Sequence, residues 1–217
     1  MQLYKRNQVE EAIAAALAQP DHEAASDLSV RLKRLLETDR ALARESAAGS
    51  LRPLYAFYTG EAPGRGGEVW FSPYEAFALM LGVRLMEHRW PQGTAVRILR
   101  QARPVLEPEH ARILAQDPER LLDAAEVRRQ AAPGKVAVAS THPVFLAIVT
   151  AWGGRADLDA APHAQRVCRG EGDLMQFWHQ QAPLGSSMTV LELTIPAHGL
   201  AACLARTSPK TRGRASR

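Results

Sequence analysis

The sequence predicts an α+β protein, mainly helical, in which a helical N-terminal region carries a β-hairpin and a small α+β domain follows. Three observations predict it. Apolar residues recur at helical spacings of three and four through most of residues 7–130, two aromatic-rich runs flank a Gly/Pro loop within residues 54–71, and β-branched runs take over after Ala132-Pro133-Gly134. Composition places boundaries at residues 1–105 for the helical region, 106–131 for a helical connector, 132–205 for the α+β domain and 206–217 for a basic tail. The tail reads as disordered because it is rich in Pro, Gly, Ser and Thr.

Each element has its own reason. Val9, Ala12, Ile13, Ala16 and Leu17 share one face of a helix over about 7–18, which Pro20 closes. A second helix over about 24–44 aligns Leu28, Leu32, Leu35, Leu36 and Leu42, while Arg31, Lys33, Arg34, Arg40 and Arg44 occupy its other faces. Glu37 stands one turn from Lys33, so part of that surface is an ion-paired face. Residues 54–58 and 69–71 read as the strands of a hairpin with a loop over 59–67. Ser72, Pro73 and Glu75 then make a helix start in which a side-chain oxygen and a carboxylate take the orphan amides. The helix from Pro73 to His88 is apolar nearly all round, which predicts burial on more than one side.

After Trp90-Pro91-Gln92-Gly93, Thr94 caps a short helix that Pro104 stops. Helices over 107–115 and 118–130 follow, the latter capped by Asp117. Strands are expected over 135–139, 144–150, 164–169 and 189–195, with helices over 172–181 and 196–205.

Charge needs dissection before it suggests a partner. The net charge is +4, but five of the 27 basic groups (Arg206, Lys210, Arg212, Arg214 and Arg217) lie in residues 206–217, where there is no acid; the other 22 meet all 23 acids. The body is therefore near neutral, and affinity for nucleic acid must come from a local patch or the tail. No apolar run approaches the roughly 20 residues of a membrane span, and the first residues lack the basic-then-apolar layout of a signal peptide, so the expected compartment is the cytoplasm. Two cysteines, Cys168 and Cys203, are too few for a disulfide framework.

Residues 69–99, from Val69-Trp70-Phe71-Ser72-Pro73-Tyr74-Glu75 through the apolar helix to Thr94 and Leu99, resemble the wing-exit strand and following helix pair of MerR-type winged helix-turn-helix regulators. The resemblance extends to Tyr4-Lys5-Arg6-Asn7-Gln8-Val9 and the second helix as an opening helix-turn-helix. It implies a winged-helix-like N-terminal region, double-stranded DNA as partner and a role in transcription regulation, with DNA-binding residues Arg31, Lys33, Arg34 and Arg40 on the basic helix and Arg65 at the tip of a wing over about 54–71. A homo-oligomer is the other partner expectation. Two features depart from the family pattern: the interhelical segment 19–27 is long, and Pro104, Pro108 and Pro118 interrupt the region where the family has a dimerising coiled coil.

Other functional classes have less support. Gly64-Arg65-Gly66-Gly67 lacks the Lys-Ser/Thr ending of a phosphate-binding loop. Asp157 and Asp159 lack a third metal ligand of recognised spacing, and the seven histidines form no HxxxH pair, so neither a metal nor another cofactor is expected. A catalytic role would require the fold to gather Asp157, Asp159, His163, Cys168 and His179. The alternative to DNA binding is a non-catalytic interaction or scaffold protein of the same fold.

Overall fold

The computed structural model describes residues 2–17, 22–46, 55–59, 69–121, 123–130, 140–150, 163–181 and 186–209. The protein is mixed α+β and mainly helical, with one two-stranded and one three-stranded sheet among these residues. The chain forms two compact units, one made of residues 1–84 with 199–217 and the other of residues 85–198.

The first unit opens with β1 (Tyr4–Lys5) and α1 (Arg6–Ala16), followed by α2 (His22–Ser46), β2 (Trp70–Phe71) and α3 (Pro73–Glu87), which runs into the second unit. The apolar stripes behave as their spacing demands: Val9, Ala12 and Ile13 of α1 and Leu28, Leu32, Leu35 and Leu36 of α2 are buried. Ser29 Oγ donates to Glu10 Oε2 at 3.2 Å, tying α2 to α1. The expected cap of α3 is present in full, with Glu75 N donating to Ser72 Oγ (3.2 Å) and Ser72 N to Glu75 Oε2 (2.7 Å). In α3 only Arg84 and Glu87 are exposed.

The expected hairpin between residues 54–58 and 69–71 does not form. β2 pairs instead with β1, antiparallel, with Tyr4 opposite Phe71 and Lys5 opposite Trp70. Residues 55–59 are not a strand, because their amides have another acceptor. The carboxylate of Asp39 on α2 accepts Ala56 N–H (3.0 and 3.1 Å) and Phe57 N–H (3.0 Å), and Ala56, Phe57 and Tyr58 are consecutively buried rather than alternating. The expected loop beyond Thr59, with Arg65, lies outside the described residues, as does the expected strand 135–139.

The second unit contains α4 (Gln92–Leu114), α5 (Pro118–Leu121), α6 (Ala124–Gln130), β3 (Val144–Thr150), β4 (His163–Arg169), α7 (Gly170–Gln181), β5 (Ser187–Glu192) and the start of α8 (Thr194–Arg206). Contrary to the sequence expectation, α4 starts before Thr94 and passes through Pro104 and Pro108 without a break. The two rings are four residues apart on one side of the helix, and both are exposed. Conversely, the single helix expected over 118–130 divides. Asp123 starts α6 by accepting Ala125 N–H (2.8 Å) and Glu126 N–H (3.1 Å), and these amides hold its carboxyl below the ordinary aspartate range.

The sheet has the order β4-β3-β5, all antiparallel. Central β3 is buried on both faces from Val144 to Val149, which is why its sequence is a continuous apolar run. Phe145, Ala147, Val149 and Cys168 face α7 and pack on Phe177, joined by Leu174, Trp178, Met188 and Val190. The other face meets α4, where Gln165 Nε2 donates to Ile98 O (3.0 Å) and Arg169 Nη2 pairs with buried Glu109 (2.7 Å). β5 ends at Glu192 rather than 195, because the Glu192 carboxylate takes Thr194 N–H (2.8 Å) and Ile195 N–H (3.1 Å) and starts α8 there. Among the described residues no helix is long and apolar enough to cross a membrane.

Candidate nucleic-acid interface

At about 100° per residue, the buried positions of α2 (Leu28, Leu32, Leu35, Leu36, Asp39 and Ala43) occupy less than half of its circumference. Ser26, Asp27, Val30, Lys33, Arg34, Glu37, Ala41, Arg44 and Glu45 are exposed on the opposite side, with Glu37 and Val30 near its middle and Arg34 toward one edge. Arg31 and Lys33 flank Arg34, and both are ion-paired within the helix. Arg31 meets Asp27, and Lys33 Nζ lies 3.9 Å from Glu37. Arg40, nine residues from Arg31 and so about 180° around the helix from it, is half-buried, and its guanidinium sits 5.2 Å from the centre of the Tyr58 ring. Of the five residues singled out from sequence, Lys33 and Arg34 are thus exposed together, Arg31 borders them, Arg40 turns to an aromatic ring, and Arg65 lies outside the described residues.

Behind this face α2 is firmly buttressed. Tyr58 stacks obliquely on Phe71 (centroids 6.2 Å) and edge-on to Tyr55 (5.6 Å). Burial pushes the Tyr58 hydroxyl up to about 12 despite the nearby positive charge of Arg40, so it is neutral at physiological pH. With the Asp39 carboxylate on the adjoining amides, the segment 55–58 links the inward side of α2 to the ribbon.

The ribbon itself was not legible as a paired element. Tyr4 and Phe71 point into the core, while Lys5 and Trp70 lie on the outer side, the Lys5 ammonium 5.1 Å from the centre of the Trp70 ring. The available signal was the alternation Leu3, Tyr4, Lys5 just before α1: Leu3 is exposed, Tyr4 is buried and Lys5 is half-buried. Residues 199–209 complete this unit. Gln8 Nε2 of α1 donates to the Thr207 carbonyl (3.4 Å) and to Thr207 Oγ1 (3.3 Å), and Thr207 Oγ1 donates to Leu204 O (2.8 Å), closing α8.

Of the residues considered for catalysis, the described ones, His163, Cys168 and His179, are not gathered. His163 and Cys168, five apart on β4, point to opposite faces of the sheet. Cys168 is in the α7-facing core, where burial pushes its thiol up to about 11, unsuited to a nucleophile. His163 stands edge-on to Trp90 (6.1 Å), and His179 is exposed on α7. Asp157 and Asp159 lie outside the described residues. Among the described residues no three His, Cys, Asp or Glu side chains are grouped so as to hold a metal ion.

Comparison with known proteins adds no relative: no protein-family model matches the chain, and no curated protein matches it.

Proposed function

We propose that the unit formed by residues 1–84 and 199–217 binds double-stranded DNA against the outward half of α2, with Arg34 at the centre of the contact and Lys33 and Arg31 to either side. The observation that carries this reading is the presentation of these three cations, within one turn, on the unburied side of a 25-residue helix buttressed from behind. An α-helix about 10–12 Å across fits a major groove about 12 Å wide. The exposed ion pairs of Arg31 and Lys33 are worth about 0.3–0.5 kcal/mol each, little enough for phosphates to displace them. The winged-helix form of this reading is supported by a ribbon strand, Trp70–Phe71, that feeds directly into capped α3; a role in transcription regulation follows from the same resemblance. Any homo-oligomer would be read by sedimentation of the full chain.

A second reading, a non-catalytic interaction or scaffold protein, is favoured by one observation: Val30, Glu37 and Ala41 interrupt the basic face. A salt titration of binding to random duplex DNA separates the two. DNA binding predicts that Lys33→Ala and Arg34→Ala each lower the slope of log K against log salt by about 0.9 for every phosphate that the variant no longer neutralises. Absence of binding, or an unchanged slope in the double variant, would put the interaction reading in its place.

A further inference from the structure

Glu109 on α4 is a buried carboxylate, 2% exposed, and two arginines share it. Arg112, one turn on, meets Oε1 through Nε (2.9 Å) and Nη2, and Arg169 at the end of β4 meets Oε2 through Nε (3.0 Å) and Nη2 (2.7 Å). Burial works against the charged carboxylate, yet these hydrogen bonds hold it below the ordinary glutamate range, so it is ionised at physiological pH. One guanidinium would balance it; with two cations to one acid, the set keeps a net charge of +1. Asp173, the next acid, is already spent on Arg166 (2.7 Å) and on the Arg169 amide (2.9 Å).

Both guanidiniums face Glu109 side-on, which uses Nε–H and one Nη2 hydrogen of the five N–H groups that each carries. Three donors per arginine remain, and among the described residues nothing else takes them. The side chains of Arg112 and Arg169 are 38% and 68% exposed, so the cluster opens to solvent. Sharing one carboxylate keeps the two guanidinium carbons within about 9 Å of each other, and a phosphate that meets both through paired hydrogen bonds spans about 8 Å.

We infer that Arg112 and Arg169 bind a phosphate dianion, free or as a phosphomonoester, with buried Glu109 as the fixed post that orients both forks. The contact lies in the second unit and does not depend on the DNA-binding reading of α2. A tetrahedral anion with three or four unesterified oxygens can face two forks at once, whereas a carboxylate fills one and a backbone diester offers only two such oxygens. The two side chains have already lost their rotamer freedom to Glu109, so a ligand does not have to order them.

The test is an NMR titration of the isotope-labelled full chain at constant ionic strength, reading the Nε–Hε resonances of Arg112 and Arg169 against inorganic phosphate, methyl phosphate, dimethyl phosphate and acetate. Inorganic phosphate should shift both resonances with one saturable midpoint on the order of 1 mM, and dimethyl phosphate and acetate should bind at least about tenfold more weakly. Methyl phosphate bound as tightly as inorganic phosphate would support an esterified ligand, and methyl phosphate about tenfold weaker would support the free anion. Arg169→Lys keeps the charge but not the fork, and should weaken phosphate binding at least about tenfold. No saturation by about 20 mM phosphate, or dimethyl phosphate or acetate as strong as phosphate, would overturn the inference. So would unchanged affinity in Arg169→Lys, which would leave only diffuse charge attraction. The titrations of the unaltered chain decide the matter even if Arg169→Lys does not fold.

Discussion

Replacing Asp39 with Ala should be among the most damaging single substitutions in the first unit. The carboxylate is fully buried and is the acceptor for two amides, those of Ala56 and Phe57, whose residues are themselves buried. Without it neither amide has water in reach. An unsatisfied buried donor costs about 1–3 kcal/mol, so the pair gives roughly 2–6 kcal/mol, a large share of the 5–15 kcal/mol that holds a typical domain together. Asp39→Asn keeps one acceptor oxygen but turns an NH2 group toward an N–H, and should fall between wild type and Asp39→Ala. Urea unfolding gives the free energy, and amide hydrogen exchange gives the location. Ala56 and Phe57 should lose at least about 30-fold in protection, the equivalent of 2 kcal/mol. A destabilisation below about 0.5 kcal/mol with both amides still protected would refute the assignment of Asp39 as their acceptor.

Three further outcomes follow from the same reasoning. Ser72→Ala removes the acceptor at the start of α3 and should cost about 0.5–2 kcal/mol in urea titration. Pro104→Ala restores an N–H in the interior of α4 at an exposed position and should stabilise by up to about 3 kcal/mol; a lower melting temperature would mean that the ring sets a bend the unit needs. Burial, with the neighbouring charge of His198, pushes buried His110 down to about 4. Unfolded, it takes a proton near pH 6.5, so the unfolded state binds the extra proton between those values. Stability should therefore fall by about 2–4 kcal/mol as pH drops from about 6.5 to 4, and His110→Phe should flatten that part of the pH–stability curve.

What could be read from the sequence was local. The stripes of α1 and α2, the Ser72/Glu75 cap and the seven residues of β3 depend on neighbours within a few positions, and they appear as read. What escaped was non-local. Nothing near residues 55–58 announces that Asp39 will take their amides, and nothing near Trp70 announces Tyr4 and Lys5 as its partners across more than sixty residues. Pro104 and Pro108 misled because proline stops a helix on average, whereas α4 runs on through both rings, which sit exposed on one side of it. The basic face was legible to the extent that periodicity puts Lys33 and Arg34 away from the leucines. The turning of Arg40 toward Tyr58 was not, because it depends on where residue 58 goes.

The division of the chain also bears on its biogenesis. The polypeptide leaves the first unit at residue 84 and returns at residue 199, with all of the second unit in between. A ribosome working at about 5–20 residues per second needs roughly 6–20 s to make that intervening stretch. Throughout this interval α1 and α2 exist without the Thr207 that Gln8 will hold, while the second unit can finish first. A fragment cut at residue 105 would lack residues 199–209, so Gln8 would be without the Thr207 that it holds in the full chain.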